Sequence, residues 1–125
     1  MILDTNTLSG FIGGDSGAIL AVSRLKQVVI PVIVIGEYRF GITQSRHKSL
    51  MERTLEEFLQ SCKILDIDSI TARYYAEVRV NLKRTGTPIP GNDAWIAALS
   101  RQYSLPILSR DTHFDYVSGV KRTVW

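Results

Sequence analysis

The chain alternates very short apolar runs with longer stretches of helical periodicity, and few architectures accommodate that rhythm. Met1-Ile2-Leu3, Val28-Val29-Ile30, Lys63 to Leu65, Pro106-Ile107-Leu108 and a last run from Val120 to Val124 suit strands and are too short for helices. Between them, apolar residues recur every three or four positions: Leu8, Phe11 and Ile12; Ala18, Ala21, Val22 and Leu25; Met51, Leu55, Phe58 and Leu59; Tyr75, Val78 and Leu82; Ile96, Leu99 and Tyr103. Short apolar strands separated by amphipathic helices are the pattern of β–α units, so the expected architecture is α/β, a parallel sheet wrapped by helices.

The punctuation between the runs agrees. Gly13-Gly14 stops the first helix, and Asp15 or Ser16 caps the second. Gly86 and Pro88 end the helix through Leu82, and the turn-rich Thr87-Pro88-Ile89-Pro90-Gly91 leads into the last one. The stretch after Pro31 carries two signals. Val32-Ile33-Val34-Ile35 is β-branched and favours a strand. Pro31, however, suits a first helical position, and Ile33, Tyr38 and Phe40 run on to Gly41 without alternation. We read residues 32–42 as helix.

No repeat, low-complexity tract or linker divides the 125 residues, so residues 1–125 are expected to form one domain. A lone Cys62 permits no internal disulfide and suits a reducing compartment. The longest apolar run, Val28 to Ile35, is too short to span a bilayer and contains Pro31. The N-terminus lacks the basic region of a signal peptide. The expectation is a cytoplasmic protein without membrane association.

The acids are informative by position. Asp4 ends the first strand, Glu37 lies on the helix after the second, Asp93 opens a helix after the Pro/Gly loop, and Asp111 lies just past the strand at 106–108. In open α/β sheets, sites form beyond the carboxyl ends of the strands, where residues distant in sequence converge. Converging carboxylates repel one another unless they take up protons or cations, and hard divalent ions such as Mg²⁺ or Mn²⁺ are the usual partners. Singly, each acid has a plainer explanation. Asp4 would cap a helix, Asp93 would favour a helix dipole and so stay ionised, and Asp111 would sit in a turn. Glu37 is the exception: its neighbours one turn away are Ile33, Val34, Phe40 and Gly41, and a carboxylate on an apolar face needs a partner. His47 and His113 lack metal-ligand spacing and read as surface residues.

These residues also fall in four motifs. Leu3-Asp4-Thr5-Asn6 resembles the opening motif of PIN-domain nucleases. Gly36-Glu37-Tyr38-Arg39-Phe40-Gly41 is similar to their second motif, and Pro88-Ile89-Pro90-Gly91-Asn92-Asp93-Ala94-Trp95-Ile96-Ala97-Ala98 to the third. Ile107-Leu108-Ser109-Arg110-Asp111 resembles the last. Within that family the resemblance is greatest to the VapC-type toxins of bacterial toxin–antitoxin pairs, which are metal-dependent ribonucleases. The resemblance implies a three-layer α/β/α fold with a short parallel sheet, and an acidic quartet of Asp4, Glu37, Asp93 and Asp111 as catalytic residues and ligands of Mg²⁺ or Mn²⁺. It implies that Thr5, Asn6 and Ser109 orient those carboxylates, and Asp115, four residues after Asp111, is placed to assist or substitute for it. One departure is local: many relatives open the second acid's helix with Ser or Thr, where this chain has Pro31-Val32.

The implied chemistry is endonucleolytic hydrolysis of RNA phosphodiesters, leaving a 5′-phosphate and a 3′-hydroxyl. The implied partners are an RNA substrate, a cognate antitoxin that fills the active-site groove, and a second copy of the chain. Arg39, Arg46, Lys48, Lys83, Arg84 and Arg110 are candidates for backbone phosphates. Two alternatives stand beside this reading. A haloacid-dehalogenase-type phosphohydrolase also begins with an acid after a strand, but wants a second Asp where Asn6 stands. A PIN-like RNA-binding module without catalysis would have lost an acid, and all four are present. The net charge of +3 hides an asymmetry: taking the four acids from the 12 leaves eight against 15 basic residues, a surplus of +7 that suits a nucleic-acid partner.

Overall fold

Five very short parallel strands carry the architecture, in the order β3-β2-β1-β4-β5. The structure is a computed structural model that describes residues 1–125. Its elements are β1 (Ile2–Leu3), α1 (Thr5–Gly13), α2 (Ser16–Ser23), β2 (Val29–Pro31), α3 (Val32–Gly41), α4 (Lys48–Leu59), β3 (Lys63–Leu65), α5 (Ser69–Thr85), α6 (Gly91–Tyr103), β4 (Ile107–Leu108), a 3₁₀ turn (Thr112–Tyr116) and β5 (Arg122–Thr123). In register, Ile2 faces Val29 on one side and Ile107 on the other. The chain builds outward from β1 through β2 to β3, then returns to lay β4 against the far side of β1. Right-handed crossovers therefore put α1–α4 on one face of the sheet and α5–α6 on the other. The packing follows suit, with α1 against α2, α3 and α4, and α5 along α6.

Ile2, Leu3, Leu8, Ile30, Leu55, Val78, Ile96, Leu99, Ile107 and Phe114 are buried at the centre of this arrangement. The central strands are buried throughout, whereas the edge strand β3 exposes Lys63 and Ile64. Such covering on both faces is why these strands read as continuous apolar runs.

Helix ends match the local chemistry. Gly14 closes α1 in the left-handed region at φ 90°, and Asp15 caps α2 by accepting the N–H groups of Gly17 and Ala18. The segment at 32–41 is helical, despite its β-branched residues, because tertiary packing of Val34 and Tyr38 outweighs propensity. Pro31 sits one position earlier than expected: it ends β2 and occupies the N-cap, without a side-chain cap bond. Its fixed φ serves both states. α5 begins six residues before Tyr75, at a capping box in which Asp68 accepts from Ile70 and Thr71 while Thr71 Oγ1 accepts the Asp68 N–H. The 3₁₀ turn after β4 was not legible as an apolar pattern. Phe114, fully buried, anchors it.

Candidate active site

The strand order reverses between β1 and β4, and the carboxyl ends of those two strands deliver Asp4 and Ser109 side by side. Asp4 is only 3% exposed. Its Oδ1 accepts the backbone N–H of Thr7 at 2.9 Å and lies 2.6 Å from Thr7 Oγ1, while its Oδ2 accepts from Ser109 Oγ. The Ser109 hydroxyl in turn accepts the N–H of Asp111 at 2.8 Å, which locks the turn after β4. Asp4 thus caps α1 and joins the ends of β1 and β4 at once.

Thr7 extends the same network. Its Oγ1 is 2.7 Å from the Leu108 carbonyl and accepts the Trp125 indole N–H at 2.8 Å, so its single proton serves Asp4 and Leu108 in turn. β5 brings Trp125 back over α1, where Gly10 leaves room for the ring: a Cβ there would lie 3.0 Å from Trp125 Cη2. The Arg110 guanidinium covers the ring's other side, 3.7 Å from its centroid, and Nε donates to the Trp125 backbone oxygen at 2.7 Å.

Glu37 projects from α3 and accepts from Thr5 Oγ1 at 2.6 Å, tying α3 to the start of α1. Asp93 is in the first turn of α6, and Asp111 caps the 3₁₀ turn by accepting the His113 N–H at 2.9 Å. His113 then brings its ring against two of the acids. Its Nδ1 lies 3.3 Å from Asp93 Oδ2 and 3.0 Å from Asp111 Oδ1. The side chain is 42% exposed, so the surface reading of His113 stands, but the ring also meets two of the acids. Burial of the adjacent Phe114 fixes the turn that carries it, and an Asp two residues before a His-Phe pair was the available signal. His47 is exposed, as expected.

Asp93 also departs from expectation. Burial, then the neighbouring Asp111 and Glu37 carboxylates, push its pKa up to about 6 from 3.8, against the partial relief that His113 gives. A position near a helix N-terminus favours the anion. Here the side chain, only 18% exposed, turns to His113 and loses more hydration than the dipole returns.

Other sequence-derived candidates lie as follows. Thr5 and Ser109 bond to Glu37 and Asp4, while Asn6 is exposed and bonds to none of the four carboxylates; one residue on, Thr7 faces Asp4 instead. Asp115 pairs with Arg122, both oxygens accepting at 2.8 Å, which pulls its pKa down. Arg39 pairs with Glu56 of α4, and Arg110 is stacked on Trp125. Arg46, Lys48, Lys83 and Arg84 are exposed without ion pairs. Thr7 and Trp125 were missed. Trp125 has no sequence signal, because its partner Thr7 is 118 residues away, and the bond from Thr7 to Leu108 spans 101 residues, although Thr7 also meets Asp4 three positions away.

Asp93, Asp111 and His113 each present one donor atom within 4.8 Å of the others. Carboxylate oxygens with one imidazole nitrogen suit a divalent cation, and the raised Asp93 pKa comes first from burial and then from the neighbouring Asp111 and Glu37 carboxylates, both of which a bound cation would offset.

Comparison with known proteins is consistent across sequence and structure. The family model described as PIN domain matches residues 1–120. Ribonuclease VapC5 of Mycobacterium tuberculosis is 28% identical over 121 residues, covering 94% of this chain and 87% of that relative. Toxin FitB of Neisseria gonorrhoeae is 30% identical over 130 residues, covering 96% and 94%. The crystal structure of DNA-bound VapBC from Salmonella typhimurium superposes with a TM-score of 0.90 at 25% identity, covering 99% of this chain and 96% of that one.

Proposed function

The chain belongs to the PIN-domain family, and on that premise we propose that it is a metal-dependent endoribonuclease, the toxin of a toxin–antitoxin pair. The observation that carries this reading is the convergence of Asp4, Glu37, Asp93 and Asp111 from four separate elements on one end of a parallel sheet. The family match sets aside the haloacid-dehalogenase alternative.

In this reading the acidic quartet holds Mg²⁺ or Mn²⁺, with Asp93 and Asp111 presenting open carboxylate oxygens. The cation supplies Lewis-acid activation of water and charge neutralisation at the attacked phosphate. The chain's own residues do the positioning. Thr7 and Ser109 fix both oxygens of Asp4, and Thr5 holds Glu37, so the carboxylates need no reorganisation when phosphate arrives. Exposed Lys83 and Arg84 at the end of α5, with Arg46 before α4 and Lys48 at its start, supply contacts to RNA phosphates. Arg39 and Arg110, held by Glu56 and Trp125, serve the substrate only at the expense of those partners.

For the antitoxin, a groove of about 420 Å³ runs beside the acids. It is lined by Val32, Ile33, Glu37, Phe40, Ile67 and Asn92, and Phe40 is 80% exposed. An apolar segment seated there would cover Glu37. No helix is long and apolar enough to cross a membrane.

Purified protein incubated with RNA and Mg²⁺ or Mn²⁺ tests the reading. Internal cleavage that EDTA abolishes and Asp93→Asn removes is the expected result. Cleavage that persists in Asp93→Asn at equal purity would refute the quartet. The toxin role predicts growth arrest on expression, relieved by Asp4→Asn, and a neighbouring gene for a DNA-binding antitoxin. Homodimerisation belongs to the same proposal and is read by light scattering.

A further inference from the structure

The geometry points to His113 Nδ1 as a protein ligand of the cation, completing with Asp93 and Asp111 a mixed nitrogen–oxygen set that selects Mn²⁺ over Mg²⁺. This rests on the acidic end of the sheet being a metal site, as proposed above, and goes beyond it by naming a non-acidic ligand and the ion it favours.

Three observations converge. The Nδ1 atom is 3.0 Å from Asp111 Oδ1 and 3.3 Å from Asp93 Oδ2. Adjacent ligands of an octahedral ion bound at about 2.1 Å lie about 3 Å apart, so these separations are those of neighbouring ligands. The imidazole's place is also built rather than incidental: Asp111 caps the turn through the His113 N–H, and fully buried Phe114 pins the next residue. Finally, Asp93, Asp111 and His113 are the three groups whose donor atoms cluster within 4.8 Å of one another, one of those atoms a nitrogen. A protonated Nδ1 would hydrogen-bond to the two carboxylates; a bare Nδ1 offers its lone pair to the same point.

The chemical consequence follows from ligand type. Mg²⁺ takes oxygen ligands almost exclusively and gains little from an imidazole, whereas first-row transition ions accept nitrogen readily. A site of four carboxylates alone would discriminate weakly. One nitrogen tips it.

The test uses the full chain with Mn²⁺ as probe. Electron spin-echo modulation of the Mn²⁺-loaded wild type is expected to show coupling to a ¹⁴N nucleus that changes on ¹⁵N-histidine labelling and vanishes in His113→Ala. Titration calorimetry should show Mn²⁺ affinity falling by about 10-fold or more in His113→Ala while Mg²⁺ affinity changes less than about threefold. The side chain is 42% exposed, so its truncation opens no buried cavity, and an unchanged thermal midpoint of the metal-free protein verifies the fold. Mn²⁺ binding without nitrogen coupling, or equal losses for both ions in His113→Ala, would overturn the ligand assignment while leaving the acidic site standing. Failure of the wild type to bind either ion would overturn the metal site itself.

Discussion

Replacing Asp93 by Asn should stabilise the metal-free protein while removing its activity. The acid's folded pKa of about 6 lies above its ordinary 3.8, so the folded state binds this proton more tightly than the unfolded chain does. Folding is therefore unburdened below about pH 4 and loses stability as pH rises through about 6, the opposite of an ordinary salt-bridged aspartate. The shift is about two units, and at about 1.4 kcal/mol per unit the ceiling is about 3 kcal/mol. With the side chain 18% exposed, solvent takes part of that, and we expect a gain of about 1–3 kcal/mol at about pH 8. Asn has the shape of the protonated acid and carries no charge, so it mimics the low-pH state at every pH. The assay is urea unfolding of both proteins in EDTA. At m-values of about 1–3 kcal/mol/M the midpoint should rise by about 1 M at high pH, and the two curves should merge near pH 4. Adding Mn²⁺ should then stabilise the wild type and leave Asp93→Asn little changed, since only an intact site gains from mass action. An Asp93→Asn protein less stable than wild type in EDTA at pH 8, or a gain of equal size at both ends of the range, would refute the electrostatic argument.

Three further outcomes follow from the network around Asp4 and from the basic surface. Thr7→Val keeps the side chain's volume but removes the hydroxyl that faces Asp4, Leu108 and Trp125. It should cost about 1–3 kcal/mol in urea unfolding and about 10-fold or more in metal affinity by calorimetry. Trp125→Phe retains a ring for Arg110 to cover but loses both the N–H to Thr7 and the ring atoms that pack over Gly10, so a cost of about 1–3 kcal/mol is expected, comparable to that of Thr7→Val. Lys83→Glu with Arg84→Glu should weaken RNA binding and lower the salt slope by about one per lost phosphate contact, with thermal stability unchanged because both side chains are exposed.

Much of this protein was legible in the sequence because the signals are local. A parallel sheet covered on both faces requires unbroken apolar strands, and those runs are visible without any tertiary knowledge. Gly14, Asp15 and Gly86 end or begin helices through bonds to residues a few positions away, so their roles could be read in place. Three of the four acids could be singled out by position for a related reason: Asp4 and Asp111 follow strands and Asp93 opens a helix, whereas Glu37, within α3, stood out by its apolar neighbours. Tertiary structure decided what those acids touch. Thr7 reaches Leu108 and Trp125 across more than a hundred residues, and no pattern within α1 announces it. His113 meets Asp93 and Asp111 because buried Phe114 fixes the turn that carries it. Asp115, which looked like a fifth acid of the site, was taken by Arg122 on β5. The charge state of Asp93 also needed the fold. A helix position alone favours the anion, but hydration lost and carboxylates gathered from Asp111 and Glu37 reverse the balance, and both depend on distances the sequence does not contain.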